Sequence, residues 1–321
     1  AGLDTVFDLA SVTKPFLAVA FARLCEQGAL PRSATLGSLL EEVRGTTAEH
    51  TPLELALSHR AGLSAHLPLF APLVHRRPFL REAALRAAAH SPALSLGSAI
   101  PKNGFDPVYS DMGYLLAGAA LERFAGVALD TLIRSTVAEP LGIAAGSARQ
   151  WLGGTTDFPK RVAPTEWVLF RGGQVSGAVH DENAWAFGGH GLCGHAGLFG
   201  TVRDVLEFGM ALLDARAGRA ERWLTAETIR WMIAERPGGS LRLGFDGKSG
   251  PDSSAGPSAS SQTFGHLGFT GTSLWCDPDA DVVTVLLTNR VCPTRNHVAI
   301  RKARPRVHDA LFQAARPPSP W

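Results

Sequence analysis

VFDLASVTKPFLAVAFARL, residues 6–24, decides the reading of this chain. A short polar opening gives way to an apolar run long enough for a buried helix. Pro15 limits where that helix begins. Proline has no N–H, and its ring clashes with the carbonyl four residues back. It therefore fits only among the first four helical residues, whose N–H groups have no intrahelical partner. The start falls close to Ser11, and Ser11-Val12-Thr13-Lys14 places a hydroxyl and an amine three residues apart on one helical face. At a helix start the macrodipole favours a developing alkoxide and disfavours an ammonium, and burial disfavours the ammonium further. The expectation is a nucleophilic Ser11 beside a neutral Lys14 amine able to take its proton. Alone, the pattern is a weak signal, because a serine and a lysine on any helix end also produce it.

Beyond this helix, residues 52–58, 79–90, 111–124, 129–137 and 202–215 carry apolar residues at three- and four-residue spacing, so a mostly helical lobe is expected over 21–235. Thr201 followed by Asp204 reads as a capping box for the last of these helices. Residues 236–262 are rich in Gly, Ser and Pro and read as a flexible surface loop. After them the period changes. Residues 272–277 and 282–289 form β-rich runs joined across 278–281, an antiparallel hairpin, and an amphipathic helix over 297–315 is placed to cover the sheet. No internal repeat is visible. The fold class expected is α+β, one domain over 1–321, with a sheet lobe built from 1–20 and 262–321.

Two further stretches carry chemistry. Tyr109-Ser110-Asp111 stands directly before a helical run, and Tyr109 is one of only two tyrosines in the chain. A phenol beside an ammonium has its pKa lowered and can pass protons. The plainer reading is a capping tyrosine followed by Asp111 as helix N-cap. His266-Leu267-Gly268-Phe269 opens the hairpin, where small residues let a substrate backbone lie alongside and leave an N–H free to face an oxyanion. With 11 histidines and 34 glycines, H-x-G arises about once by chance, and His195-Ala196-Gly197 is a second copy. Position distinguishes His266.

Composition narrows the classes. At 45% hydrophobic and 19% charged residues the chain is an ordinary globular sequence, and a formal charge of +2 does not point to a nucleic-acid partner. No apolar run is long enough to span a bilayer. Cys25, Cys193, Cys276 and Cys292 are widely spaced and read as free thiols. Compartment and oligomeric state are not legible.

Taken in order, the three motifs resemble those of the class C β-lactamase and D-alanyl-D-alanine peptidase superfamily: S-x-x-K, Y-x-N and K/H-x-G. FDLASVTKPF, LALSHRAGL at 55–63 and GHAGLFGTVRDVLEFG at 194–209 extend the likeness to nearly the whole chain, 6–312. The resemblance implies a β-lactamase/transpeptidase-like fold, with an antiparallel sheet flanked by helices. It also implies an acylated Ser11, proton transfer by Lys14 and Tyr109, and an oxyanion hole from the N–H groups of Ser11 and Phe269. Asp111, His266, Leu267 and Gly268 would bind substrate, with no cofactor. The substrate is a small ester, amide or β-lactam, in that order of preference. Pocket shape is expected to be set by 236–262 and by the segment 63–79.

Three departures stand out. His266 occupies a position where many members have Lys, and a neutral imidazole brings less charge to a substrate carboxylate. Asp111 replaces Asn and cannot donate to an amide carbonyl. Only ten residues precede Ser11, where the family places a helix and about two strands, so the expectation is either a truncated chain or a sheet with an exposed edge. These departures keep open a penicillin-binding sensor that acylates and stalls. A metal-dependent hydrolase is the other alternative, drawn from His180, Asp181, Glu182, His190, Cys193 and His195; against it, H-E-x-x-H and paired C-x-x-C spacings are missing.

Overall fold

The apolar run after Pro15 becomes helix α1 (Thr13–Glu26), entered through a 3-10 turn at Ala10–Val12. The side chains from Phe16 to Ala22 have no solvent exposure, so α1 is apolar all round and forms the centre of the core. The computed structural model describes residues 1–90, 99–220 and 222–315. The other main helices are α2 (Leu53–Leu57), α3 (Arg81–Ala88), α4 (Asp111–Ala125), α5 (Leu129–Ile133), α6 (Glu182–Gly188), α7 (Val202–Arg216), α8 (Ala226–Ile233) and α9 (Ile300–Ala315). The expected helical segments therefore form, with ends within a few residues of the periodic runs. Among the described residues no helix is long and apolar enough to cross a membrane. All four cysteines are free.

The main sheet is antiparallel, in the order β6 (Asp246–Gly247), β7 (Phe264–Leu267), β8 (Ser273–Asp277), β9 (Val282–Leu286). β8 and β9 are the expected hairpin, in the register Ser273↔Leu286 to Asp277↔Val282. Every residue of β8 is buried, as a strand covered on both faces must be. On one face α7 comes so close that a Cβ at Gly209 would stand 2.6 Å from Val283. On the other, His308 of α9 bridges Ser273 Oγ at 2.7 Å and Thr284 Oγ1 at 2.8 Å, and burial pushes its imidazole down to about 4. β9 has no further strand beside it among the described residues, but β8 separates that edge from β7.

Two expectations about organisation change. The N-terminal strand β1 (Phe7–Asp8) does not join the main sheet. It pairs with β5 (Leu198–Gly200), which also pairs with β2 (Gly146–Ser147). The chain ends meet through hydrogen bonds instead: Thr270 Oγ1 donates to the Asp8 carbonyl at 2.7 Å and Thr272 Oγ1 to the Leu9 carbonyl at 2.8 Å. Residues 236–262 are irregular apart from β6, yet Leu243, Phe245, Ala255 and Ala259 are buried, so the glycines and serines serve tight turns against the core as well as surface.

The Thr201 capping box is present: Thr201 Oγ1 accepts the Asp204 N–H at 3.3 Å and Asp204 Oδ2 accepts the Thr201 N–H at 2.8 Å. Thr201→Ala should cost about 1 kcal/mol in urea denaturation; an unchanged midpoint would show that this cap does not hold α7.

Candidate active site

The backbone before Ser11 is stitched down before any side-chain chemistry begins. Asp8, buried at the end of β1, accepts the Ala10 N–H at 2.8 Å through one oxygen and the His180 N–H at 2.6 Å through the other. Ala10 is thereby held at φ 48°, a left-handed conformation costly for a residue with a Cβ. The chain then turns into the 3-10 entry of α1, which carries Ser11. The loop after β7 is fastened to the same stretch. A Cβ at Gly268 would lie 1.9 Å from Thr272 Oγ1 and 2.5 Å from the Leu9 carbonyl oxygen, so glycine is required for this approach. The N–H groups of Ser11 and Phe269 have no hydrogen-bond acceptor among the described residues.

Lys14 has no exposed surface. Its Nζ lies 2.8 Å from Ser11 Oγ, 2.7 Å from Asp111 Oδ1 and 3.4 Å from the His195 carbonyl oxygen. Burial opposes its charge, but Asp111 and then Tyr109 outweigh that and hold the amine above the usual lysine range. Lys14 is thus an ammonium. This corrects the neutral amine expected from burial and the helix dipole: that expectation lacked the carboxylate 97 positions away. Asp111 in turn sits below the ordinary carboxylate range, because Lys14 and then His195 outweigh its desolvation.

Tyr109 lies over this pair, with Lys14 Nζ 4.7 Å from its ring centroid. Its ring stacks on His59 at 4.5 Å between centroids, and His59 Nδ1 accepts the Ser110 N–H at 2.9 Å. Ser110, not Asp111, is the N-cap of α4, its hydroxyl accepting the Gly113 N–H at 3.2 Å. Asp111 is free for Lys14 because its neighbour caps the helix. His59, absent from the sequence-based site, is its main omission: LALSHRAGL carried the family likeness, but nothing in its spacing marks His59 as part of the site.

Ser11, Tyr109, Asp111, Leu267, Gly268 and Phe269 line one cavity of about 630 Å³, while Lys14 and His266 stand buried behind its wall. All the sequence-selected residues are therefore brought together. Of the two segments expected to shape the pocket, His66, Pro68 and Phe70 from 63–79 line it, and none of 236–262 does. β6 pairs only with Phe264 and Gly265, so His266 and Leu267 keep a free strand edge on that side. Among the described residues the His266 ring makes one hydrogen bond, Nδ1–H donating to the neighbouring Leu267 carbonyl oxygen at 2.9 Å, and burial, then Lys14, push its pKa down to about 3. Phe269 is 48% exposed, yet its ring is held between His180 at 5.8 Å and the Arg290 guanidinium at 4.2 Å.

Four of the six residues weighed as metal ligands are committed to other partners. His195 Nε2 meets Asp181 Oδ1 at 2.8 Å, and His180 Nε2 meets Glu166 Oε2 at 2.9 Å. Glu182 is paired with Arg295. Among the described residues no three His, Cys, Asp or Glu side chains converge on a point that would hold a metal ion. Asp181 raises His195 well above the usual imidazole range against the effect of burial. An alternating set of charges, Asp181, His195, Asp111 and Lys14, thus backs Ser11. Arg290, Arg301 and Arg304 also line the cavity and have no carboxylate partner among the described residues. Arg304 instead donates to the Gly268 and Thr272 carbonyls.

The two buried histidines should titrate in opposite directions. Imidazole NMR should find His195 charged at pH 7.5 and His266 neutral down to about pH 3. Since unfolded histidine protonates near pH 6.5, the contribution of His266 to stability is complete above about that value and is lost as pH falls toward 3. A His266 ring that is charged at pH 6 would contradict its burial.

Comparison with known proteins places this geometry. A relative from Salmonella heidelberg (strain SL476), provisionally named D-alanyl-D-alanine carboxypeptidase, is 29% identical over 218 residues, which cover 64% of this chain and 49% of the relative. The chain thus spans about half the length of the curated relatives it matches. A penicillin-binding protein homologue from Caulobacter crescentus shares the fold with a TM-score of 0.68 at 20% identity, over 98% of this chain and 84% of its own. EstCE1, a hydrolase with promiscuous acyltransferase activity, does so with a TM-score of 0.66 at 23% identity, over 94% and 85%. These likenesses identify the α+β architecture as β-lactamase/transpeptidase-like. The sequence profile of the Beta-lactamase family matches residues 1–307, and the chain belongs to that family.

Proposed function

We propose that this protein is a serine hydrolase that acts through an acyl-enzyme on Ser11, with a small ester or amide as substrate. One observation carries the reading: Ser11 Oγ, on the cavity wall, is 2.8 Å from a buried lysine amine. Ser11 Oγ attacks the substrate carbonyl as its proton passes to Lys14 Nζ in the deprotonated form. The N–H groups of Ser11 and Phe269 receive the oxyanion. Collapse expels the leaving group, which takes a proton by way of Lys14 and Tyr109, and water attacks the acyl carbonyl to regenerate Ser11. A substrate bearing an anionic group fits the cavity. The positive charge that neutral His266 does not supply is available from Arg301 and Arg304.

A second reading, an acylating sensor, is favoured by the departures from the usual motifs, His266 in place of Lys and Asp111 in place of Asn. Intact-mass measurement after a fluorophosphonate, and separately a penicillin, with peptide mapping, should place the adduct on Ser11; an adduct elsewhere would remove Ser11 from the mechanism. Steady turnover of a chromogenic ester, lost in Ser11→Ala and unaffected by a chelator, identifies the hydrolase, and labelling without turnover identifies the sensor. Lys14→Ala and Tyr109→Phe should each lower acylation about a hundredfold.

The charge on Lys14 also sets the pH dependence. Only the deprotonated amine can accept the Ser11 proton, so the rate should climb with pH through the neutral range. Asp111→Asn removes the main influence holding the proton on. Each unit by which the Lys14 pKa then falls should raise the neutral-pH rate about tenfold and move the profile toward acid. A profile unchanged by Asp111→Asn would show that Lys14 is not the titrating base.

A further inference from the structure

The stretch LALSHRAGL is only half used by the site above. His59, which follows α2, adopts φ 61° and sends its ring to Tyr109. Arg60, the next residue, lines a separate cavity of about 910 Å³ that shares no lining residue with the first. Arg60 is only 3% exposed, and its Nε and Nη2 are buried without a hydrogen-bond partner. No carboxylate lies within ion-pair distance of it among the described residues. A buried charge with no partner is strongly destabilising, and folded proteins satisfy such groups with protein, water or ligand.

The backbone gives Arg60 no way out. Its N–H donates to the Leu55 carbonyl at 2.7 Å and its carbonyl accepts the Phe105 N–H at 2.9 Å. Gly104, at φ 72°, packs against that carbonyl so tightly that a Cβ there would stand 2.5 Å away. The Arg60 backbone and the root of its side chain are therefore held in place at the cavity wall. Arg32, Lys102 and Arg236 also line the cavity, against the carboxylates of Glu54 and Glu235. Glu54 is taken by Arg236 at 3.0 Å, and Glu235 is 81% exposed with Arg242 at 3.9 Å. Lys102 is exposed at the rim, and the balance is positive.

We propose that this cavity binds a phosphate-type oxyanion, with Arg60 as its floor and Lys102 and Arg236 closing over it. A planar, always-charged fork suits two oxygens of such an anion, and a mobile rim lysine adds charge without demanding geometry. The site does not depend on the reaction assigned to Ser11.

Isothermal titration of the full chain with inorganic phosphate tests this. Saturable binding at about 1 mM or tighter is expected in the wild type. Arg60→Gln should weaken it by about tenfold or more, and in phosphate-free buffer this variant should be at least as heat-stable as the wild type, because an unpaired buried charge has been removed. Lys102→Gln, on the exposed rim and harmless to folding, should weaken it severalfold, whereas Arg301→Gln in the Ser11 cavity should not. Tighter binding of glycerol phosphate than of inorganic phosphate would identify a phosphorylated small molecule as the occupant, and equal binding the free anion. The proposal is overturned if the wild type shows no saturable phosphate binding, if Lys102→Gln binds as the wild type does, or if only Arg301→Gln abolishes binding.

Discussion

An ammonium with no access to water must be matched inside the protein, and the pairing of Lys14 with Asp111 is the match on which the rest is built. Lys14 sits on the first turn of the central helix, and Asp111 on the first turn of α4. Their 2.7 Å contact therefore fixes two core helices relative to each other at the ends that face the cavity. Ser110 caps α4 and so leaves the Asp111 carboxylate unspent, while His59 supports the turn that brings both into place. Ser11 inherits its position from this arrangement, because the helix that buries Lys14 also carries Ser11 one turn earlier.

The same pairing explains which parts of the site were legible in the sequence. The placement of Ser11, Lys14 and the His266 strand was readable from local geometry: helical spacing, a proline that marks a helix start, and a change of period into β-structure. The C-terminal hairpin and its covering helix were readable for the same reason. The ionisation of Lys14 was not. It is decided by a residue from another helix, and local burial and dipole arguments pointed the other way. His59 was invisible because its function is to present a ring face and a lone pair to Tyr109 and Ser110, and neither produces a spacing. The membership of β1 was missed because a two-residue strand has no period, and its partner lies far along the chain, with Phe7 opposite Gly200 and Asp8 opposite Phe199.

The departures from the usual motifs also look different once the charges are in place. His266 is buried and neutral, while Arg290, Arg301 and Arg304 line the cavity, with Arg290 and Arg304 bonded to the Phe269 and Gly268 carbonyls. Positive charge has not been lost with the change from Lys to His. It has moved from the strand to α9 and the segment after β9. Helix α9, which appeared in the sequence as a cover for the sheet, thus lines the cavity with Arg301 and Arg304 as well as packing on the core.

Phe269 shows what such placement does energetically. Its aromatic ring is flanked by the His180 imidazole and the Arg290 guanidinium, and these contacts restrain the turn that carries the main-chain donor proposed at this residue. Little entropy remains to be lost there when a tetrahedral species forms, and a donor rigid from the outset stabilises that species without spending binding energy on its own alignment. The gripped ring gives the strand end a stiffness that its exposure to solvent would otherwise deny it.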